Sequence, residues 1–401
     1  MAPVTQDSTS TAMDAAQTKV RQCPELSSTV VKVQLPALSP RFSIGRHRKG
    51  LALGLITALA LVVAPDAHAA AGPSRSVSAR THCHSDPSAL IAALPSGGTF
   101  HGTGCYTVRN GIVIARPNIT IDGGFFYDPT MRGHRGIQPI VKILQVSGTT
   151  IENVILAGAN VNGGIHARLV GEAGIKTESS SNTRITNVVT INTFGDGLEL
   201  WFAGPHHPAT TNTSVNGLTV VHAGRLGVTP AFVYGLTMNH VNVVSSAGPG
   251  IDFESDSPVI GSGYVAVSNS TFHFVNLVES WSGPITFTNC ALFGHIVVGN
   301  APGTITINGG SFRVPHQMHG TPSAGIQMSS PNEPATAQAA VLTLNAVTII
   351  RDGPTVYRPN APYLGPNWYV GGQETLILKH SPAPPGIPGV ATGNGSVVIT
   401  P

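Results

Sequence analysis

Asn118–Gly124 reads NITIDGG and Gly303–Gly310 reads GTITINGG, nearly the same phrase written twice, far apart in a chain of 401 residues. Asp122 and Asn308 hold the same slot in the two copies. An apolar residue, a threonine or similar residue and an asparagine return in Ile151-Glu-Asn153, Ile185-Thr-Asn187, Leu236-Thr-Met-Asn239, Val267-Ser-Asn269, Phe287-Thr-Asn289 and Leu344-Asn345. Successive slots lie about 18 to 37 residues apart, the length of one coil of a solenoid. Each coil needs a short strand, and the period-2 runs ThrIleThrIle, ThrPheThr and ValAlaVal supply it. Asparagine tolerates a left-handed backbone and bonds through its amide, so it suits a recurring corner, and stacked corners predict a ladder of asparagines. With 46 glycines and few 3.6-residue patterns, long helices are excluded.

From about Asp86 to Thr348 the chain resembles the right-handed parallel β-helix family, the pectin-lyase-like fold. Asp86–Leu94 (DPSALIAAL) is similar to the short capping helix of that family, and Pro95–Phe100 (PSGGTF) with Gly104–Val108 (GCYTV) to its first strands. The resemblance implies an all-β, single-stranded right-handed parallel β-helix with an N-terminal capping helix that hides the first rung's backbone from other chains. This scaffold hosts several chemistries, so the fold alone does not name one. Polygalacturonases of this fold carry paired aspartates, a Gly-His-Gly and an Arg-x-Lys; the nearest residues here are Asp196 and Phe293-Gly-His295. The Trp-Ile-Asp-His and Arg-x-Pro-x-x-Arg runs of pectate lyases are absent.

Upstream, Arg46-His-Arg-Lys49, the apolar stretch Leu51–Val63 and Ala67-His68-Ala69 form the three parts of a secretory signal. The apolar run is too short to span a bilayer, although an uncleaved anchor is the competing reading. The expected organisation is therefore 1–45 as a disordered or mis-assigned extension and 46–70 as the signal peptide. The β-helix is expected over 71–350, and a C-terminal cap with a Pro/Gly-rich tail over 351–401. The product is expected outside the cell, free of the membrane and monomeric, with about nine or ten coils stacked over about 45 Å. Seven of the 22 Lys/Arg and four of the 19 Asp/Glu precede residue 71, so the remainder carries fifteen of each and gives no reason to expect a nucleic-acid partner. In an oxidising compartment Cys83 and Cys105, flanking the cap helix, are the favoured disulfide pair, worth about 3 kcal/mol; Cys290 reads as a buried free thiol.

The strands after each corner share a second frame: Gly174-Ile-Lys-Thr-Glu178, Gly197-Leu-Glu-Leu-Trp201, Gly227-Val-Thr-Pro-Ala231 and Gly250-Ile-Asp-Phe-Glu254. Alternation predicts that Lys176, Glu199, Thr229 and Asp252 point outward, followed by a second outward column of Glu178, Trp201, Ala231 and Glu254. Glu178, Asp196, Glu199, Asp252, Glu254, Asp256 and Glu279 crowd a span that holds only Arg184 and Arg225 as strong bases. Such crowding predicts a bound cation, partial protonation or a functional groove, against the plainer reading of a solvated sheet face.

Two chemistries fit, and both make a polysaccharide the partner. A glycoside hydrolase would use Asp196, Glu199, Asp252 and Glu254 as catalytic acids, with Glu199 and Asp252 about 9.6 Å apart across two coils and Trp201 as a sugar platform. A lyase would hold calcium on Asp252, Glu254 and Asp256 with Lys176 or Arg225 as base, and calcium is the one cofactor expected, in this branch alone. Lys176, Glu178, Trp201, His206, His207 and Arg225 are the expected substrate-binding residues, the histidine pair projecting from the loop Gly204–Asn212 as groove wall or proton carrier. Trp281 reads equally as a further platform or as packing. The rival from another class is a non-catalytic glycan-binding or cell-surface adhesion protein.

Overall fold

The computed structural model describes residues 83–131, 138–161, 171–204, 206–254, 263–278, 283–299, 303–314, 317–318, 321–322, 325–328, 340–351, 369–370, 374–381 and 396–400. The extension and signal segment, Asp256, Glu279 and Trp281 lie outside the described residues.

Alternating apolar and polar residues over three to six positions give short strands with one buried face, and here each strand stacks on the strand one coil later. One column of inward residues shows the pattern: Ile121, Ile151, Ile185, Val215, Met238, Val267, Phe287, Ile307, Leu344 and Leu378 follow one another in parallel register, and all are buried. Three such sheets form the walls of a right-handed parallel β-helix. Every described pairing is parallel except that of Gln317–Met318 with Thr321–Pro322.

The first sheet holds twelve strands among the described residues, from Thr99–His101 to Ser396–Thr400. At about 4.8 Å per step that is roughly 53 Å, longer than nine or ten coils would give. The difference comes from Thr375–Lys379 and Ser396–Thr400, which continue the stack beyond residue 350, where the sequence suggests a cap and tail. TLILK and SVVIT keep the period-2 pattern among the prolines and glycines, and that pattern decides their placement.

The corner after the first sheet explains the asparagines. Asn153, Asn187, Asn269 and Asn289 adopt φ of 57°, 51°, 48° and 54°, the left-handed region, whereas Asn216, Asn239, Asn308 and Asn345 sit one position earlier in register. In the latter coils Gly217, His240, Gly309 and Ala346 take the left-handed position. The recurrent asparagines therefore occupy two adjacent columns rather than one slot, and hydrogen bonds link them. Asn153 Nδ2 donates to Asp122 Oδ1 (2.9 Å) and Asn187 Nδ2 to Asn153 Oδ1 (3.3 Å). Further along, Asn239 donates to Asn216 (3.0 Å), Asn269 to Asn239 (2.9 Å), Asn289 to Asn269 (2.9 Å) and Asn345 to Asn308 (3.0 Å).

At the N-terminal end the helix Ser88–Ala93 buries Ile91 and packs on Ile112–Ile114. Asp86 ties its start to the first coil, Oδ1 accepting from Ser88 N (2.9 Å) and Oδ2 from Arg109 N (2.6 Å). Cys83 and Cys105 are disulfide-bonded, with Cα atoms 4.6 Å apart. Below them Phe100, Tyr106 and Phe126 stack with centroids 5.4 to 6.2 Å apart. Cys290 is buried and unbonded to another cysteine.

Candidate functional site

The second sheet carries the charged columns, and glycine corners place them. Gly174, Gly197, Gly227 and Gly250 precede its central strands at the tightest bend of the coil. A Cβ on Gly197 would lie 2.5 Å from the Val220 side chain and 2.6 Å from the Gly227 carbonyl oxygen, so only glycine lets the chain turn into this strand. Register then fixes the first column: Lys142 pairs with Lys176, Lys176 with Glu199, Glu199 with Thr229, and, after one more coil, Asp252 with Asn276. In the second column Leu144, Glu178 and Trp201 follow one another.

The acids share one stripe, yet the stripe is not a solvated face. Lys176 is 8% exposed, Glu199 0%, Thr229 0% and Asp252 4%. The outward side is covered because neighbouring charges lie over one another and because Ala209, Ala231 and Phe232, with Trp201, Phe202 and Tyr234, build a small apolar cluster beside the column. Trp201 meets Phe232 edge-on at 4.9 Å, and Lys176 Nζ lies 5.5 Å from the Trp201 ring centroid. One side of the expected sugar platform is therefore already faced by a cation.

Self-repulsion among the acids is answered by cations from adjoining coils. Lys142 Nζ is 2.8 Å from Glu178 Oε2, while Lys176 Nζ bridges Glu178 Oε1 (3.4 Å) and Glu199 Oε1 (2.9 Å). Arg225 Nε is 3.7 Å from Asp196 Oδ1, and Arg225 Nη2 pairs with Glu254 Oε2. Lys142 is the member of this charged row that spacing misses, because Ile140 replaces the glycine that marks the other strands; the likeness of Val141-Lys142 to Ile175-Lys176 is its only signal. Asn276 is missed for a similar reason, since it lies inside the uninterrupted strand Thr271–Val278. Arg184, counted with Arg225, belongs to the first sheet and joins none of these pairs.

Burial sets the protonation of two aspartates. Asp196, just before the Gly197 corner, accepts from Leu226 N (3.2 Å) and Thr229 Oγ1 (2.7 Å). Desolvation pushes its carboxyl up from the ordinary 3.8 to about 7, with Arg225 pulling back and Glu199 pushing further. Asp252 accepts from Asn276 Nδ2 (2.7 Å) and is pushed up to about 8, first by burial and then by Glu254. Burial opposes the charge on Arg225, but Asp196 and Glu254 outweigh it and raise its pKa above the ordinary arginine value. Arg225 is thus a fixed cation and not a base, and Lys176 Nζ is committed to two carboxylates. Glu199 Oε2 is buried without a hydrogen-bond partner.

The histidine pair is exposed, on a loop that meets the second sheet at Gln145 and at Ser179, beside Glu178. Its loop is tied down by Ser179, whose Oγ accepts from Ala203 N (2.8 Å) and donates to Pro208 O (2.6 Å). His207 Nδ1 lies 3.2 Å from Gln145 Nε2, and among the described residues no ion pair or hydrogen bond joins His206 or His207 to the carboxylates. No three acids, histidines or cysteines among the described residues converge on a metal position. Asp252 Oδ1 accepts from Asn276 and Glu254 pairs with Arg225, while Asp256, the third residue of the expected calcium set, lies outside the described residues.

No protein-family model and no curated protein matches this sequence. The chain is similar in fold to an endo-xylogalacturonan hydrolase from Aspergillus tubingensis (12% identity over 76% of this chain and 94% of that one, TM-score 0.47). It is also similar to a polygalacturonase from Erwinia carotovora ssp. carotovora (11% identity, 73% and 88%, TM-score 0.47). A third likeness is to the tailspike protein gp49 of Pseudomonas phage LKA1 (10% identity, 74% and 51%, TM-score 0.41), about half of whose length this chain spans.

Proposed function

We propose that this chain is an exported polysaccharide-active protein that hydrolyses a glycosidic bond along the second sheet, with Asp252 as proton donor and Glu254 as the base. The observation that carries this reading is Asp252 itself: a buried carboxyl that keeps its proton to about pH 8, beside a carboxylate held by Arg225. A buried carboxyl that holds its proton beside a carboxylate paired with a guanidinium suits acid–base cleavage. Asp252 gives its proton to the glycosidic oxygen as the C–O bond breaks, while Glu254 takes a proton from the water attacking the anomeric carbon. Glu254 replaces Glu199 as partner because Glu199 is fully buried and locked to Lys176, whereas the Glu254 side chain is 27% exposed. Asp196 fixes Arg225 from one side, and Lys176 with Glu178 and then Lys142 extend the charged face three and four coils earlier. The Cys83–Cys105 bond suits the oxidising compartment that the leader segment addresses, and no described helix is long and apolar enough to cross a membrane.

One observation favours a second reading, a non-catalytic glycan-binding protein: Asp196, Glu199 and Asp252 are nearly sealed from solvent and have the appearance of internal supports. Reducing ends and absorbance at about 235 nm, followed on a polysaccharide panel, separate the two readings. Hydrolysis predicts reducing ends without unsaturated product, and a rate loss of about 10²-fold or more in Asp252→Asn and in Glu254→Gln. Turnover unchanged by both substitutions would refute the assignment, and binding without any turnover would establish the second reading.

A further inference from the structure

The coil after Asp252 enters the second sheet inside the strand Thr271–Val278, bending at Phe274, whose φ of 50° is left-handed. Beyond the bend Val275 is buried in register with Ile251, so alternation turns Asn276 outward beside Asp252. Asn276 Nδ2 donates to Asp252 Oδ1 at 2.7 Å, the one hydrogen bond this carboxyl accepts among the described residues. The next member of the column is Val297, which offers the amide no polar group, so Asn276 is committed to Asp252.

A protonated carboxyl has two unlike oxygens. One is a carbonyl and the better acceptor, while the other holds the hydrogen, so a fixed N–H donor sorts them. The charged groups that face Asp252 are Glu254 on its own strand, Arg225 one coil earlier and Asp196 two coils earlier. They bear on how readily the group ionises, but among the described residues none is hydrogen-bonded or ion-paired to it. Asn276 alone distinguishes one oxygen from the other.

We infer that Asn276 is a positioning residue whose amide holds Asp252 Oδ1 as the carbonyl oxygen and leaves Oδ2 to carry the proton and deliver it to the glycosidic oxygen. This rests on the reading of Asp252 as proton donor. In the step the Oδ2–H bond breaks, the hydrogen passes to the glycosidic oxygen as its C–O bond breaks, and the electron pair stays on Oδ2. Resonance shares the new negative charge with Oδ1, where the Asn276 N–H meets it. A hydrogen bond to a carboxylate is stronger than one to a neutral carbonyl, so this contact grows as the proton leaves, which is the direction that lowers a barrier.

Infrared titration of the full chain from pH 4 to 10, with Asp252→Asn subtracted, reads the protonated Asp252 carbonyl without any substrate. Reducing ends released from xyloglucan, galactomannan, dextran or polygalacturonate over the same pH range read the reaction. Asn276→Leu and Asn276→Ala should raise the C=O stretching frequency, because the carbonyl oxygen loses its donor. Both should also move the titration of that band, and the falling limb of kcat/KM with it, about one unit towards higher pH. Peak kcat/KM should drop about tenfold, carried by kcat with KM unchanged. A frequency unchanged in a variant that melts cooperatively would overturn the role of Asn276, and Asp252 would still stand as the acid if the parent's falling limb tracks its band. A raised frequency with an unmoved limb would overturn Asp252 as the acid and the role of Asn276 with it. A parent that releases reducing ends from none of the four polysaccharides would do the same.

Discussion

At the scale of single residues, the buried carboxyls tie stability to pH. Asp196 and Asp252 stand at about 7 and about 8 when folded, against an ordinary 3.8. The folded chain therefore retains protons that the unfolded chain has released between about pH 4 and about pH 8. Stability from these groups is complete below about pH 4 and declines as pH rises through 7 and 8. Melting curves from pH 4 to 9 should show that decline, and Asp252→Asn, which keeps an oxygen for Asn276, should flatten it; parallel curves would refute the assignment. The sequence reveals that acids crowd this span and that Asp196, Glu199, Asp252 and Glu254 belong to one stripe. It cannot reveal that the stripe is closed to solvent, because alternation says which side of a strand a residue faces and nothing of what lies over it.

At the scale of elements, coils are joined by charges as well as by backbone. The row from Lys142 through Glu178 and Lys176 to Glu199 crosses three strands, and removing one member strands another. Lys176→Met leaves Glu199 buried without its cation and should cost about 3–5 kcal/mol. The double change Lys176→Met with Glu199→Leu should recover most of that loss in chemical denaturation, whereas additive losses would show that the pair is not coupled. The glycine-led frame makes two of these strands, Ile175–Glu178 and Leu198–Trp201, legible from sequence. Val141–Leu144 escapes it because its corner uses no glycine, so half of the row's positive charge goes unseen.

At the scale of the whole molecule, the fold is readable because one coil's pattern is repeated and each repeat has the same inward column. Its end is less readable, since proline and glycine are as common in covers as in corners. The last two strands of the first sheet carry Leu376 and Leu378 into the core and cover the edge of Ala340–Asn345. Removing residues 374–401 should lower the melting temperature and drive self-association through that bared edge, as seen by light scattering. A truncated chain that stays monomeric with the parent's melting temperature would show that these strands are no part of the stack.

The side-chain amides at the corners all point the same way. In every linked pair the later coil gives the hydrogen and the earlier coil receives it, down to the carboxylate of Asp122, where His101 waits 3.3 Å away. Aligned dipoles reinforce one another, so an uncharged row acquires a direction, with its positive pole toward the start of the chain and an anion seated there to complement it. The prism thus has an electrical head and tail that no tally of its lysines and glutamates would reveal.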